Sequence, residues 1–197
     1  MKFKERSKVE HKNLLVQIFV SQIIIILSAG LLLYITDVKM YELKIDFISW
    51  GLLAGGLTYL LGFLLTKLEG TLGQSLRDLA MKLRLIVGGL SLPSIIIISL
   101  LAGLGEELLF RAFLQEWIAG YSSSYIGIMI ASIIFGLLHF ISRIYFLFAF
   151  LMGVLFGIGY EATQSLIFVG VWHAFYDFLA LLMIVKFPSL LQLKSED

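Results

Sequence analysis

Cysteine is absent from the 197 residues. That excludes disulfide bonds, a thiolate metal site and a cysteine nucleophile. Charge is scarce as well. Only 15% of the residues are Asp, Glu, Lys or Arg, against about 25% in a typical soluble domain. No stretch has the composition of a soluble domain, and no internal repeat or low-complexity linker interrupts the chain. The net charge of +1 gives no indication of partners, and no pattern for binding nucleic acid is present. What abounds is apolar surface. Hydrophobic residues make up 59% of the chain, against about 45–50% in soluble domains. The chain reads as one integral membrane domain over residues 1–197.

A spanning helix needs about 20 mostly apolar residues. Residues 14–35, 45–66, 93–117, 125–141, 145–161 and 165–186 predict six such helices. Lys2, Lys4, Arg6, Lys8 and Lys12 precede the first, in the manner of a signal peptide. However, the apolar run is longer than the roughly 7–15 residues of a signal core, and no small-x-small cleavage site closes it. An uncleaved first helix is therefore expected. Gly51-x-x-x-Gly55 and Gly153-x-x-x-Gly157 permit close helix contact. Pro93 suits a first helical turn, where its missing N–H costs nothing, and Pro188 marks the tail.

Residues 67–84 differ, because charge and apolar groups mix there. Leu72, Leu76, Leu79 and Leu83 fall on one helical face, which predicts an amphipathic helix in the membrane interface with its basic residues toward lipid head groups. It serves as a linker or adds to substrate binding. Counting Lys and Arg in the loops places both termini and residues 67–84 in the cytoplasm. The expected fold class is all-α: a polytopic transmembrane bundle of about six spanning helices plus an interfacial amphipathic helix.

Within the third apolar run stand Glu106, Glu107 and Arg111. Each charge at membrane depth costs about 2.5–3.5 kcal/mol on insertion scales, so the three need partners or a purpose. Glu107 and Arg111 are spaced i, i+4 and can pair structurally. Glu106 points about 100° away and has no basic residue one turn off, which leaves it as the free carboxylate. His139 follows Phe135 at i, i+4, so the ring can hold the imidazole. His173 and Asp177 share a face of the last helix, where the carboxylate can orient the ring. Taken singly, each of these is also readable as a satisfied polar residue in a bundle core. Together they place polar groups from three helices in one membrane interior.

Glu106-Glu107-x-x-x-Arg111, Phe135-x-x-x-His139 and His173-x-x-x-Asp177 resemble, in this order, the three motifs of the CPBP intramembrane proteases. These are the CAAX-processing and bacteriocin-processing enzymes, also called the Abi family. The resemblance covers residues 90–185, the expected catalytic core. It departs at Asp177, where the family often has Asn. It implies an intramembrane (metallo)endopeptidase cleaving a small peptide or a membrane-anchored protein tail, in a bacterial plasma membrane. Glu106 would act as general base on water with help from His139. His173 and Asp177 would steady the oxyanion, hold the water or bind a metal. Zinc or another divalent metal on His139, His173 and Asp177 is compatible with these donor types, although the soluble zincin pattern His-Glu-x-x-His is absent. Two rival readings stand beside the protease: a bacteriocin-immunity or scaffold protein of the same family, and a proton-coupled transporter. The transporter would usually show inverted repeats, and none is evident.

Overall fold

The computed structural model describes residues 2–38, 41 and 44–193, with side chains from residue 16 onward. The basic side chains of residues 2–12 and the tail at 194–197, on which the orientation reading draws, lie outside that description. Among the described residues every regular element is helical. Helix α1 (Lys2–Thr36) is followed by a short 3₁₀ turn (Ile45–Phe47), α2 (Ile48–Thr66) and α3 (Thr71–Val87). Then come α4 (Leu92–Glu107), a π-helical stretch (Leu108–Gln115) and α5 (Glu116–Tyr121), forming one continuous rod. Helices α6 (Ser124–Leu138), α7 (Arg143–Thr163) and α8 (Leu166–Lys186) complete the bundle.

Five of these stretches are long and apolar enough to cross a membrane: Val16–Thr36, Ile45–Thr66, Leu92–Tyr121, Arg143–Thr163 and Leu166–Lys186. The sixth apolar helix, α6, is shorter than expected. It stops at Leu138, three residues before the predicted end at 141. Its 15 residues reach only about 22 Å at 1.5 Å per residue. Serine sets the helix starts. Ser91, Ser123, Ser142 and Ser165 each accept a hydrogen bond from a first-turn amide of α4, α6, α7 and α8 respectively, which satisfies an otherwise orphaned donor. Ser142 therefore turns the chain directly into α7, and Arg143 is helical rather than part of a loop.

Helix α8 packs between α2 and α4, and both seams depend on missing side chains. A Cβ on Gly51 or Gly55 of α2 would fall 2.8 Å from a carbonyl oxygen of α8. On Gly103 of α4 it would fall 2.5 Å from the carbonyl oxygen of Gly170 and 2.6 Å from the Ala174 Cβ. The pair Gly153 and Gly157 likewise admits α6, through Ser132 and Ile128, against α7.

The amphipathic helix α3 buries Gly73, Leu76, Leu79 and Ala80 against the bundle, and Ala80 joins Ile184 and Leu191 in a small core. Leu72, expected on the same face, is exposed. The basic residues also depart from expectation. Arg77 donates to the carbonyl of Thr66 at the end of α2, and Arg84 donates to the carbonyl of Ile184 near the end of α8, both at 2.6 Å. Lys67 donates to the Leu190 carbonyl, and Lys186 to the Leu90 carbonyl. Arg77, Arg84 and Lys67 thus serve helix C-termini, where carbonyls lack intrahelical partners and the helix dipole favours positive charge, and Lys186 reaches a carbonyl in the connection from α3 to α4.

Candidate active site

Three elements deliver the polar groups: the junction of α4 with its π-helical continuation, the end of α6, and the middle of α8. Glu107 and Arg111 are fully buried, with Arg111 Nε donating to Glu107 Oε2 at 3.1 Å. The i, i+4 pair persists although Arg111 lies in π-helical backbone, a feature frequent at functional sites. Glu107 has a second partner that spacing alone did not reveal. His173 Nδ1 donates to its Oε1 at 2.8 Å. The other ring nitrogen, Nε2, stands 3.5 Å from Asp177 Oδ2. His173 is thus held between two carboxylates, one on its own helix and one on α4.

Glu106 sits on the other side of the rod. Its Oε2 is 3.6 Å from His139 Nε2 and has no hydrogen-bond partner among the described residues. His139 is the C-cap residue of α6 rather than a member of the helix. Its Nδ1 lies 2.8 Å from the carbonyl oxygen of Phe135, so Nδ1–H donates there and the neutral ring carries its lone pair on Nε2. The end of α6 thus lies level with Glu106, roughly 20 Å along α4 from its start.

Phe135 ties the two halves together. Its ring centroid is 4.4 Å from that of His139, 6.0 Å from that of His173 and 5.1 Å from that of Phe110. The Arg111 guanidinium carbon lies 5.7 Å from its centre. Tyr145 at the start of α7 meets His139 edge-on at 6.0 Å. Exposure grades across the site: Glu107 and Arg111 are sealed, whereas the side chains of His139 and Asp177 are 26% and 30% exposed.

Among the described residues no group of three or more His, Asp or Glu side chains converges on one point as a metal site. The reason is pairing. Glu106 meets His139 but not His173, and Asp177 meets His173 but not His139. Both rings engage through Nδ1, His173 with Glu107 and His139 with the Phe135 carbonyl, which leaves each Nε2 free as a donor atom, but His139, His173 and Asp177 do not converge on one point in this arrangement.

Residues 88–179 match the family model described as Type II CAAX prenyl endopeptidase Rce1-like. The matched segment is thus similar to that family. This core of the chain contains all three motifs, from α4 to Asp177 on α8, and agrees with the resemblance read from them. With its apolar helices it identifies an integral membrane protein. No curated protein and no solved structure matches the chain.

Outside the core, the structure adds a residue that the motifs do not contain. Gln22 of α1 donates from Nε2 to Glu106 Oε1 at 3.1 Å. Within the core, Gln115 is fully buried and donates to the Gly157 carbonyl. The signal in sequence was available in general form: an amide in an otherwise apolar run needs a hydrogen-bond partner.

Proposed function

We propose that the protein is an intramembrane endopeptidase in which Glu106 activates a water molecule. The observation that carries this is the Glu106–His139 pair: two acceptors, Oε2 and Nε2, 3.6 Å apart, at the more open side of a buried polar cluster. A water between them donates one O–H to each acceptor and keeps its lone pairs free. In the reaction the water passes one proton to Glu106 as its oxygen bonds to the scissile carbonyl carbon. The tetrahedral intermediate then collapses, the C–N bond breaks and Glu106 returns the proton to the departing amine. The products are a carboxylic acid and an amine, and the base is regenerated. His139 holds the water, and Phe135 holds His139.

Glu107 and Arg111 form a structural pair that also fixes His173 through its Nδ1. His173 and Asp177 are assigned to the substrate carbonyl or the water, with Nε2 as the ring nitrogen not already engaged by Glu107. The graded exposure supports substrate entry past His139 and Asp177. The substrate class is a small peptide or a membrane-anchored protein tail, in a bacterial plasma membrane with both termini cytoplasmic. No step is routed through a metal.

The test is cleavage of candidate tails by the full chain in vesicles, parent against Glu106→Gln. Loss of turnover with the fold kept supports the reading. A folded Glu106→Gln that cleaves at the parent rate overturns Glu106 as the base, whereas a folded parent that cleaves no candidate tail favours the immunity or proton-coupled readings.

A further inference from the structure

Helix α1 is mostly exposed along its apolar length, with Val16, Val20, Ile24, Leu27 and Leu31 all facing outward. Among its described side chains only Gln22 and Ala29 are buried. These two are seven residues apart and mark one narrow stripe. On that stripe the contact with α4 is close. A Cβ on Gly105 would fall 2.8 Å from Ile26 Cγ1, so glycine lets α1 approach beside Glu106. At the same level Gln22 Nε2 donates to Glu106 Oε1 at 3.1 Å. A buried amide in an apolar helix costs free energy unless it is bonded, and a bond to a carboxylate is the stronger kind.

The terminal torsion of a glutamate is broad, and no basic residue holds Glu106 from its own helix. One oxygen tied to Gln22 leaves the other to face His139. We propose that Gln22 is a positioning residue, its amide holding the Glu106 carboxylate so that Oε2 is presented to His139 Nε2. The inference rests on the reading of Glu106 as the base, and it extends the working site to a helix outside the matched segment 88–179.

The experiment compares variants of the full chain in phosphatidylcholine vesicles, on a quenched fluorescent peptide with a prenylated CAAX tail, with kcat, KM and thermal melts recorded together. Gln22→Met keeps length and packing but removes the donor. It is expected to lower kcat about tenfold, the lower end for a hydrogen bond to a charged group, with KM unchanged and a fall in Tm no larger than that of Ile26→Ala. Ile26→Ala loosens the same helix but keeps the amide. It is expected to lower Tm while kcat per folded molecule is retained. Gln22→Met at parental kcat, or one whose kcat falls only in step with Tm, overturns the positioning role. Glu106→Gln is run in parallel. If it alone loses turnover, the base assignment stands and only the Gln22 inference fails; if it retains turnover, the function reading itself fails.

Discussion

Glu106 and Glu107 are neighbours in the chain, yet they occupy two different environments. The Glu107 side is sealed, and its carboxylate is saturated: Arg111 on one oxygen, His173 on the other. The Glu106 side is held by one amide and, among the described residues, keeps one oxygen without a hydrogen bond, facing a partly exposed imidazole. Adjacent positions on a helix point about 100° apart, and that rotation separates a sealed carboxylate bonded on both oxygens from one with an oxygen turned toward an imidazole. A carboxylate bonded on both oxygens and sealed from solvent has no room for a reacting water. An unsaturated one must be positioned from outside its own helix.

The sharpest break in this comparison is Glu106→Gln. It nearly preserves shape and leaves the Glu107 side untouched. Turnover should fall about 10²–10⁴-fold, the usual contribution of a general base, while the thermal melt stays at the parent value. Arg111→Ala inverts the pattern. It strands a buried carboxylate, and breaking such a pair typically costs about 3–5 kcal/mol. Unfolding in detergent should show this loss, along with reduced yield. Normal stability with lost turnover would instead give Arg111 a direct part in catalysis.

Gly103→Val tests the seam that brings α8, and with it His173, to α4. The added Cβ meets backbone at 2.5 Å, and overpacking typically costs about 1–3 kcal/mol. The melt should fall, and turnover should fall with it. A melt at the parent value would show that the seam opens without cost. Phe135→Leu removes the ring shared by both sides. A stability loss of about 1 kcal/mol is expected for a near-conservative core change, with a modest fall in kcat as His139 loses its support. An effect on stability alone would show that the ring does not steer His139. Chelation is expected to change least. With donors arranged in pairs, EDTA should leave cleavage at its starting rate; loss restored by zinc would show that His139, His173 and Asp177 rearrange into a metal set.

Much of the fold was legible because a bilayer admits so few solutions. Long apolar runs must become helices that satisfy their own backbone, and 45–66 and 165–186 appear almost as read. The end of α6 was less legible. Residues 139–141 are as compatible with a helix as those before them, and only docking against α7 and the demand for a serine cap at 142 decide where the chain turns. The basic face of α3 was misread for a related reason. Amphipathic periodicity shows that a cation is exposed, but not that a helix C-terminus lies within its reach.

At the site, local spacing carried the pairs within one helix and nothing beyond. Glu107 with Arg111, and His173 with Asp177, follow from i, i+4 geometry alone. The bond from His173 to Glu107 spans 66 positions, and that from Gln22 to Glu106 spans 84; no periodicity predicts either.

The sequence by itself determined the membrane setting, the helical class and the identity of the polar groups, because composition and helical period are local properties of the chain. Which carboxylate is bonded on both oxygens and which keeps one turned toward His139 was decided only in the tertiary structure, where two glycine-lined seams let α1 and α8 come close to α4.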